Sequence, residues 1–175
     1  MFGHHKESQE GAPAQRFQMR ERLVSFGDDY WITDATGEKA YKGNGKALRA
    51  RKTLLFEDAH GHELLKIQEK WMHIHDTMEI EDADGKTVAT VKKAIITPFR
   101  DRWEVKVANG PEWETKGNVV EHAFTIEDGH TKVAEVSKKW FRVADSYGIE
   151  VEPGQDPALV LAVTVVIDEM AHPAK

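Results

Sequence analysis

Hydrophobic and polar positions take turns along most of this chain. In Trp103-Glu104-Val105-Lys106-Val107 and in Met78-Glu79-Ile80-Glu81 every second residue is apolar and its neighbours are charged, the two-residue period of a strand with one buried and one wet face. The pattern changes most sharply near the end. Residues 158 to 167 (ALVLAVTVVI) have no polar face and stand between Gln155-Asp156-Pro157 and Asp168-Glu169-Met170-Ala171-His172-Pro173. Val163 to Ile167 suits a strand by its β-branched content, but the flanks predict a helix over 157–171: Asp156 is a good N-cap, Pro157 fits the first helical position and Pro173 marks the end. A helix apolar all round must be enclosed by protein or by lipid, and this one falls short of the ~20 residues a bilayer requires. Protein therefore encloses it, with Leu159, Leu161, Val163 and Val166 as core positions.

Turn signals leave room only for strands upstream. Asp34-Ala35-Thr36-Gly37, Asp58-Ala59-His60-Gly61 and Asp82-Ala83-Asp84-Gly85 start 24 residues apart, each opening on Asp and closing on a Gly able to take positive φ. Asn44-Gly45, Asn109-Gly110 and Asp128-Gly129 add further hairpin signals. Ile80-Glu81-Asp82 leading to Val88, and Ile126-Glu127-Asp128 leading to Val133, echo one another and suggest two similar halves. The count is roughly ten to twelve strands of ordinary length, more than a barrel needs to fill its lumen with side chains and enough to admit a helix. Fifteen helical residues give a rod of about 22 Å, the depth of a barrel with six-residue strands. The expected fold is mainly β, a closed antiparallel barrel of about twelve strands around a buried hydrophobic C-terminal helix. Residues 1–15 lack apolar periodicity and are expected to be a disordered tail before a single domain at 16–173.

Composition narrows the function classes. The 175 residues carry a formal charge of -6, which argues against a general nucleic-acid binder. There is no cysteine, hence no disulfide and no thiolate ligand. The N-terminal residues lack the apolar core of a signal peptide and no segment is long enough to span a bilayer, so a cytoplasmic protein is expected.

Several strings then become recognisable: SFGDDYWI from Ser25, GKALR from Gly45, PFRDRWEV from Pro98, GN from Gly117 with His122 following, VSKKWFRVADSYGIEV from Val136 and GQDPALVLAVTVVID from Gly154. In this order, over residues 17 to 172, they resemble the LURP-one-related family within the tubby C-terminal-like superfamily, which also contains the phospholipid scramblases. The resemblance implies a closed antiparallel barrel around a C-terminal helix. It implies little about activity, because a shared fold is a weak warrant for a shared function.

Candidate chemistry is sparse. Lys92-Lys93, Lys138-Lys139 with Arg142, and Arg49-Arg51-Lys52 are the densest basic groups, and Trp140-Phe141 follows one of them. Lys92, Lys93, Lys138, Lys139, Trp140 and Arg142 form the candidate site for an anionic phospholipid headgroup, set against the alternative that lysines at strand ends discourage edge pairing. By alternation Lys138 shares a face with Ala134, Val136 and Trp140, so it points inward near a mouth or a bulge resets the register. His73-Ile74-His75-Asp76 places two imidazoles on one strand face, a weak metal candidate without an evident third ligand. Asp82-Ala83-Asp84-Gly85 lacks the later ligands of a calcium loop and reads as a hairpin turn. Ala144-Asp145-Ser146-Tyr147-Gly148 approximates a nucleophile elbow without its strand-to-helix context, so Ser146 is expected in a β-turn, as is Gly43-Asn44-Gly45-Lys46. Arg100-Asp101-Arg102 is expected to be an ion-pair cluster and His122 a hydrogen-bonded structural histidine.

No constellation amounts to a catalytic or cofactor signature, and no cofactor is expected. The leading expectation is a non-enzymatic cytosolic binding or scaffold domain with a protein or small-molecule partner. Weak peripheral binding of anionic lipid through the basic groups is the first alternative, and an enzyme with its site at a barrel mouth the second.

Overall fold

The computed structural model describes residues 13–20, 30–44, 53–69, 77–97, 100–141 and 145–172. They form twelve strands and one helix: β1 Gln15–Arg20, β2 Tyr30–Asp34, β3 Lys39–Asn44, β4 Thr53–Asp58, β5 Glu63–Glu69, β6 Thr77–Asp82, β7 Thr87–Thr97, β8 Arg100–Val107, β9 Glu112–Asn118, β10 Ala123–Asp128, β11 Thr131–Ser137, β12 Ser146–Val151 and α1 Pro157–Ala171. Each strand runs antiparallel to the next, and β1 pairs with β12 from Gln15↔Val151 to Arg20↔Ser146, which closes the barrel. Closure leaves no open sheet edge.

The interior is set by alternation. Phe17 and Met19, Ile32, Leu54 and Phe56, Leu65 and Ile67, Met78 and Ile80, Val91, Trp103 and Val105, Phe124 and Ile126, Tyr147, Ile149 and Val151 are buried from successive strands. They surround α1, which packs against β5, β6, β7 and β12. Every residue from Val160 to Asp168 is buried. Leu161, Val163 and Val166 have no exposed surface, whereas Leu159, in the first turn, is only partly buried against the core. The helix begins as its flanks dictate: Asp156 Oδ1 accepts the Ala158 N–H at 3.0 Å and Pro157 follows the cap. Thr164, the one polar residue in the apolar run, donates its hydroxyl to Val160 O at 2.9 Å, so the helix buries this hydroxyl with a partner.

The three Asp-to-Gly motifs are one hairpin used three times. In each, Asp34, Asp58 or Asp82 Oδ1 accepts the N–H groups two and four residues on. Gly37, Gly61 and Gly85 sit at φ 87°, 85° and 82°, and the register shifts by one residue before each turn, at Ile32/Thr33, Phe56/Glu57 and Ile80/Glu81. The later echo is the same bulge in another hairpin, at Ile126/Glu127 between β10 and β11. Hydrogen bonds from Thr36 first, and from the turn's backbone N–H groups, hold the Asp34 carboxyl below its ordinary range; those from His62 do the same for Asp58. Since the folded pKa is the lower one, this contribution to stability is present above the unfolded pKa and lost as pH falls through the folded one. In a carboxyl-carbon NMR titration Asp34 should titrate below the ordinary ~3.9, and Thr36→Ala should move it back up.

Two turn expectations are corrected. Gly43 and Asn44 belong to β3 rather than to a turn. Glycine is required at Gly43 because a Cβ there would come within 2.2 Å of the Tyr30 ring. Ser146 opens β12, paired with Arg20, and the turn residue is Asp145 at φ 59°. Residues 1–12 of the tail expected at 1–15, Gly45-Lys46 and the closing Pro173 lie outside the described residues, while Gln15 already opens β1.

Candidate functional site

One end of the barrel gathers buried polar chemistry. There β9 turns into β10 and the C-terminus of α1 emerges beside it. The turn is tight: Glu121 N–H donates to Asn118 Oδ1 at 3.2 Å, His122 N–H donates to Val119 O at 3.1 Å, and His122 itself lies at φ 51°. Gly117, at φ 116°, makes it fit, since a Cβ would lie 2.6 Å from Ala123 O and 2.9 Å from Phe124 Cα. This geometry carries the His122 side chain into the wall, 3% exposed, where Nε2 lies 2.6 Å from Oδ1 of Asp168, itself 5% exposed. An ionised carboxylate only accepts, so the imidazole N–H donates.

Asp168 stands one helical turn before His172, and i and i+4 share a helix face. His172 caps the helix, its N–H donating to Asp168 O at 2.9 Å. Its Nδ1 lies 3.2 Å from Asp168 Oδ1 and 3.2 Å from Asp168 O, and its Nε2 lies 3.1 Å from Val120 O. The two imidazoles stack at 5.2 Å and 15°, and Tyr147 covers the other face of His122 at 4.1 Å and 19°. Tyr30 Oη is buried at this end with no hydrogen-bond partner among the described residues. Burial first, then the negative charges of Asp168 and Glu169, push its phenol pKa upward.

Comparison with known proteins fixes the lineage. A family model described as LURP-one-related matches residues 15–168, from the first strand to the buried aspartate. The chain belongs to the LURP-one-related family. The uncharacterised protein YxjI of Bacillus subtilis is 29% identical over 154 residues, covering 88% of this chain and 92% of that one. LURP-one-related 8 of Arabidopsis thaliana is 23% identical over 164 residues, covering 86% and 84%. A crystal structure of an Arabidopsis thaliana protein aligns with TM-score 0.44 and 17% identity, over 92% of this chain and 94% of the other.

Among the described residues, the LURP-one-related barrel sets the Lys92-Lys93 and Lys138-Lys139 pairs at separate strands. Lys92 and Lys93 lie on β7, four strands around the wall from β11, which leads into Lys138 and Lys139. Lys92 is exposed. Lys93 pairs in register with Trp103 and shares the inward face of Val91; its ammonium lies 3.1 Å from Asp101 Oδ2 and 5.6 Å from the centre of the Trp103 ring. Lys138 and Lys139 are exposed because β11 stops at Ser137, whose Oγ accepts the Lys139 N–H at 3.1 Å. The chain thus leaves the strand before alternation can turn Lys138 inward. Trp140 and Phe141 fold over the outer face of β12, where Gly148 is obligatory: a Cβ would meet both rings at 2.8 Å. Arg16 lies over the Trp140 ring at 4.9 Å and pairs with Glu150 at 2.7 Å. Arg142, Arg49, Arg51, Lys52, His73 and His75 lie outside the described residues.

Two further candidates resolve as structure. Arg102 joins Glu104 at 2.9 Å and Glu114 at 3.3 Å, an ion-pair ladder on the outer wall. Ser146 Oγ is buried and accepts from Gln18 Nε2 at 3.0 Å. His122 was legible as a hydrogen-bonded histidine, but its partners were not. Asp168 and His172 carried one signal, the i,i+4 spacing at a helix end. Their meeting with His122, 46 residues away along the chain, depends on the barrel.

Proposed function

We propose that this LURP-one-related domain is a non-enzymatic cytosolic binding or scaffold module that engages a protein or small-molecule partner on its outer wall and rims. The observation that supports this reading is the filled interior. The lumen in which a barrel of this size could hold a ligand is occupied by α1, whose residues Val160 to Asp168 are all buried. Among the described residues, no helix is long and apolar enough to cross a membrane. The test is unbiased ligand detection by native mass spectrometry on the purified chain, followed by hydrogen exchange with whatever copurifies. Protection should fall on strand ends and the turns at the rims, leaving 158–167 unchanged. Substrate turnover abolished by a change in an inward-facing residue would overturn the reading.

The lipid alternative keeps one supporting observation, the exposed Lys138-Lys139 pair beside Trp140. At ~1 kcal/mol per basic residue near an anionic leaflet these two lysines supply only ~2 kcal/mol, and an overall charge of -6 opposes approach. In co-sedimentation with phosphoinositide-containing vesicles, at most marginal binding is expected, abolished by raised salt or by Lys138→Glu/Lys139→Glu. Tight, salt-insensitive binding would exclude the electrostatic mechanism.

A further inference from the structure

We propose that His122, Asp168 and His172 form a binding site for a divalent transition-metal ion, tying the C-terminus of α1 to the β9–β10 turn. One ligand atom from each lies within 4.8 Å of the others. Two imidazoles and one carboxylate are the donor set of zinc-like, borderline ions rather than of calcium or magnesium, which prefer all-oxygen shells. Three protein ligands also leave a coordination position open.

The environment of His172 gives the strongest argument. A neutral imidazole has one N–H and one lone pair, yet both its nitrogens face oxygen acceptors: Nε2 faces Val120 O, and Nδ1 faces both the backbone and the side-chain oxygen of Asp168. If the Nε2–H donates to Val120 O, the lone pair on Nδ1 meets two oxygens head-on. A cation at that point converts the repulsion into ligation. The remaining hydrogen bond is then the usual outer contact of a metal-bound histidine, an N–H given to a backbone carbonyl that fixes tautomer and ring orientation. One of the ligand separations already suits an ion. Two donors each about 2.1 Å from one metal lie about 3.0–3.4 Å apart, which His172 Nδ1 and Asp168 Oδ1 already satisfy at 3.2 Å. His122 Nε2 must give up the proton it shares with Asp168, either to solvent or by the ring taking the Nδ1–H tautomer, and withdraw from that 2.6 Å contact by a few tenths of an ångström.

The surroundings favour a cation from several directions. Asp168 is an anion buried at the negative end of a helix dipole. The side chain of His172 is 38% exposed, so an ion reaches the site from solvent while His122 and Asp168 hold its inner side. Tyr30 Oη, buried nearby without a partner among the described residues, adds a further oxygen at the same end of the barrel.

The test uses the full-length chain stripped of metal by a chelator and titrated with cobalt(II), read by visible ligand-field absorption. Melting curves in zinc(II), with magnesium as control, provide a second readout. One equivalent of cobalt should bind with nitrogen-rich ligand-field bands, and zinc but not magnesium should raise the melting temperature. His172→Ala, at a half-exposed helix end where folding should survive, should weaken binding at least about tenfold. Because the chain has nine histidines, the titration is repeated with His4, His5, His73 and His75 changed to Ala, where the signal and its loss in His172→Ala should both persist. Abolition of uptake in that background, or uptake unaffected by His172→Ala, would overturn the proposal. So would absence of uptake, and nitrogen NMR showing His172 doubly protonated near neutral pH would then identify a proton as what satisfies the three oxygens.

Discussion

Val163→Asp should leave the domain unable to fold. Val163 has no exposed surface, and its neighbours on α1 from Val160 to Ile167 are enclosed on every side. A carboxylate there has no access to solvent, so it must enter desolvated as a charge or protonated, and both cost free energy. The loss should exceed about 4 kcal/mol, at the extreme of single substitutions, against a total stability of roughly 5–15 kcal/mol for a domain. Thr164 marks what the interior tolerates, a hydroxyl small enough to bond back to Val160 O. Leu159→Asp provides the internal control: Leu159 lies in the first turn and is only partly buried, so that variant should fold with a lowered melting temperature. The measurements are near-UV circular dichroism and thermal melting. A Val163→Asp protein with wild-type values for both would mean that α1 is not the core.

Gly117→Val should be the second most damaging change, costing about 1–3 kcal/mol of backbone strain and a similar amount from overpacking. The two costs have separate origins. At φ 116° an L side chain is strained whatever the space, and here the space is also taken, by a carbonyl oxygen at 2.6 Å and a Cα at 2.9 Å. Backbone on the neighbouring strand cannot rotate away as a side chain can. Gly61→Val separates the terms, because Gly61 has positive φ with nothing within 4 Å and should show the strain alone. Gly117→Val should therefore lower the denaturation midpoint clearly more than Gly61→Val. Since Gly117 sets the turn that carries His122, the surviving folded fraction should also show altered imidazole resonances of His122. Equal destabilisation by the two variants would mean that β9 and β10 do not approach this closely.

The sequence by itself determined the architecture, and the reasons are local. The bounds of α1 followed from Asp156, Pro157 and Pro173, because capping and proline chemistry act within one turn of the chain. The three hairpins followed from Asp and Gly spacing, because an Asp side chain reaches N–H groups only two and four residues away. Enclosure of the helix followed from the absence of a polar face, and the strands from alternation. Where local signals were weak the outcome changed. Gly43 resembled a turn residue and is strand, its lack of a side chain being demanded by the Tyr30 ring. Ser146 resembled a turn residue and opens β12, since Asp145 alone takes the positive φ.

The site belongs to the other category. His122 and Asp168 are 46 residues apart, and no period or motif links a β-turn histidine to a helix-end aspartate. They meet because the barrel closes in register and because α1, about 22 Å long, runs from the end where β12 finishes to the end where β9 turns into β10. The basic residues make the same point in reverse. Lys92 with Lys93 and Lys138 with Lys139 are alike in sequence, yet strand order sets them four strands apart and turns Lys93 toward Asp101 and Trp103. Element identity is decided by interactions within a few residues and is written in the chain. The juxtaposition of elements is decided by barrel closure around the helix, and only the tertiary structure specifies which polar groups then share one mouth.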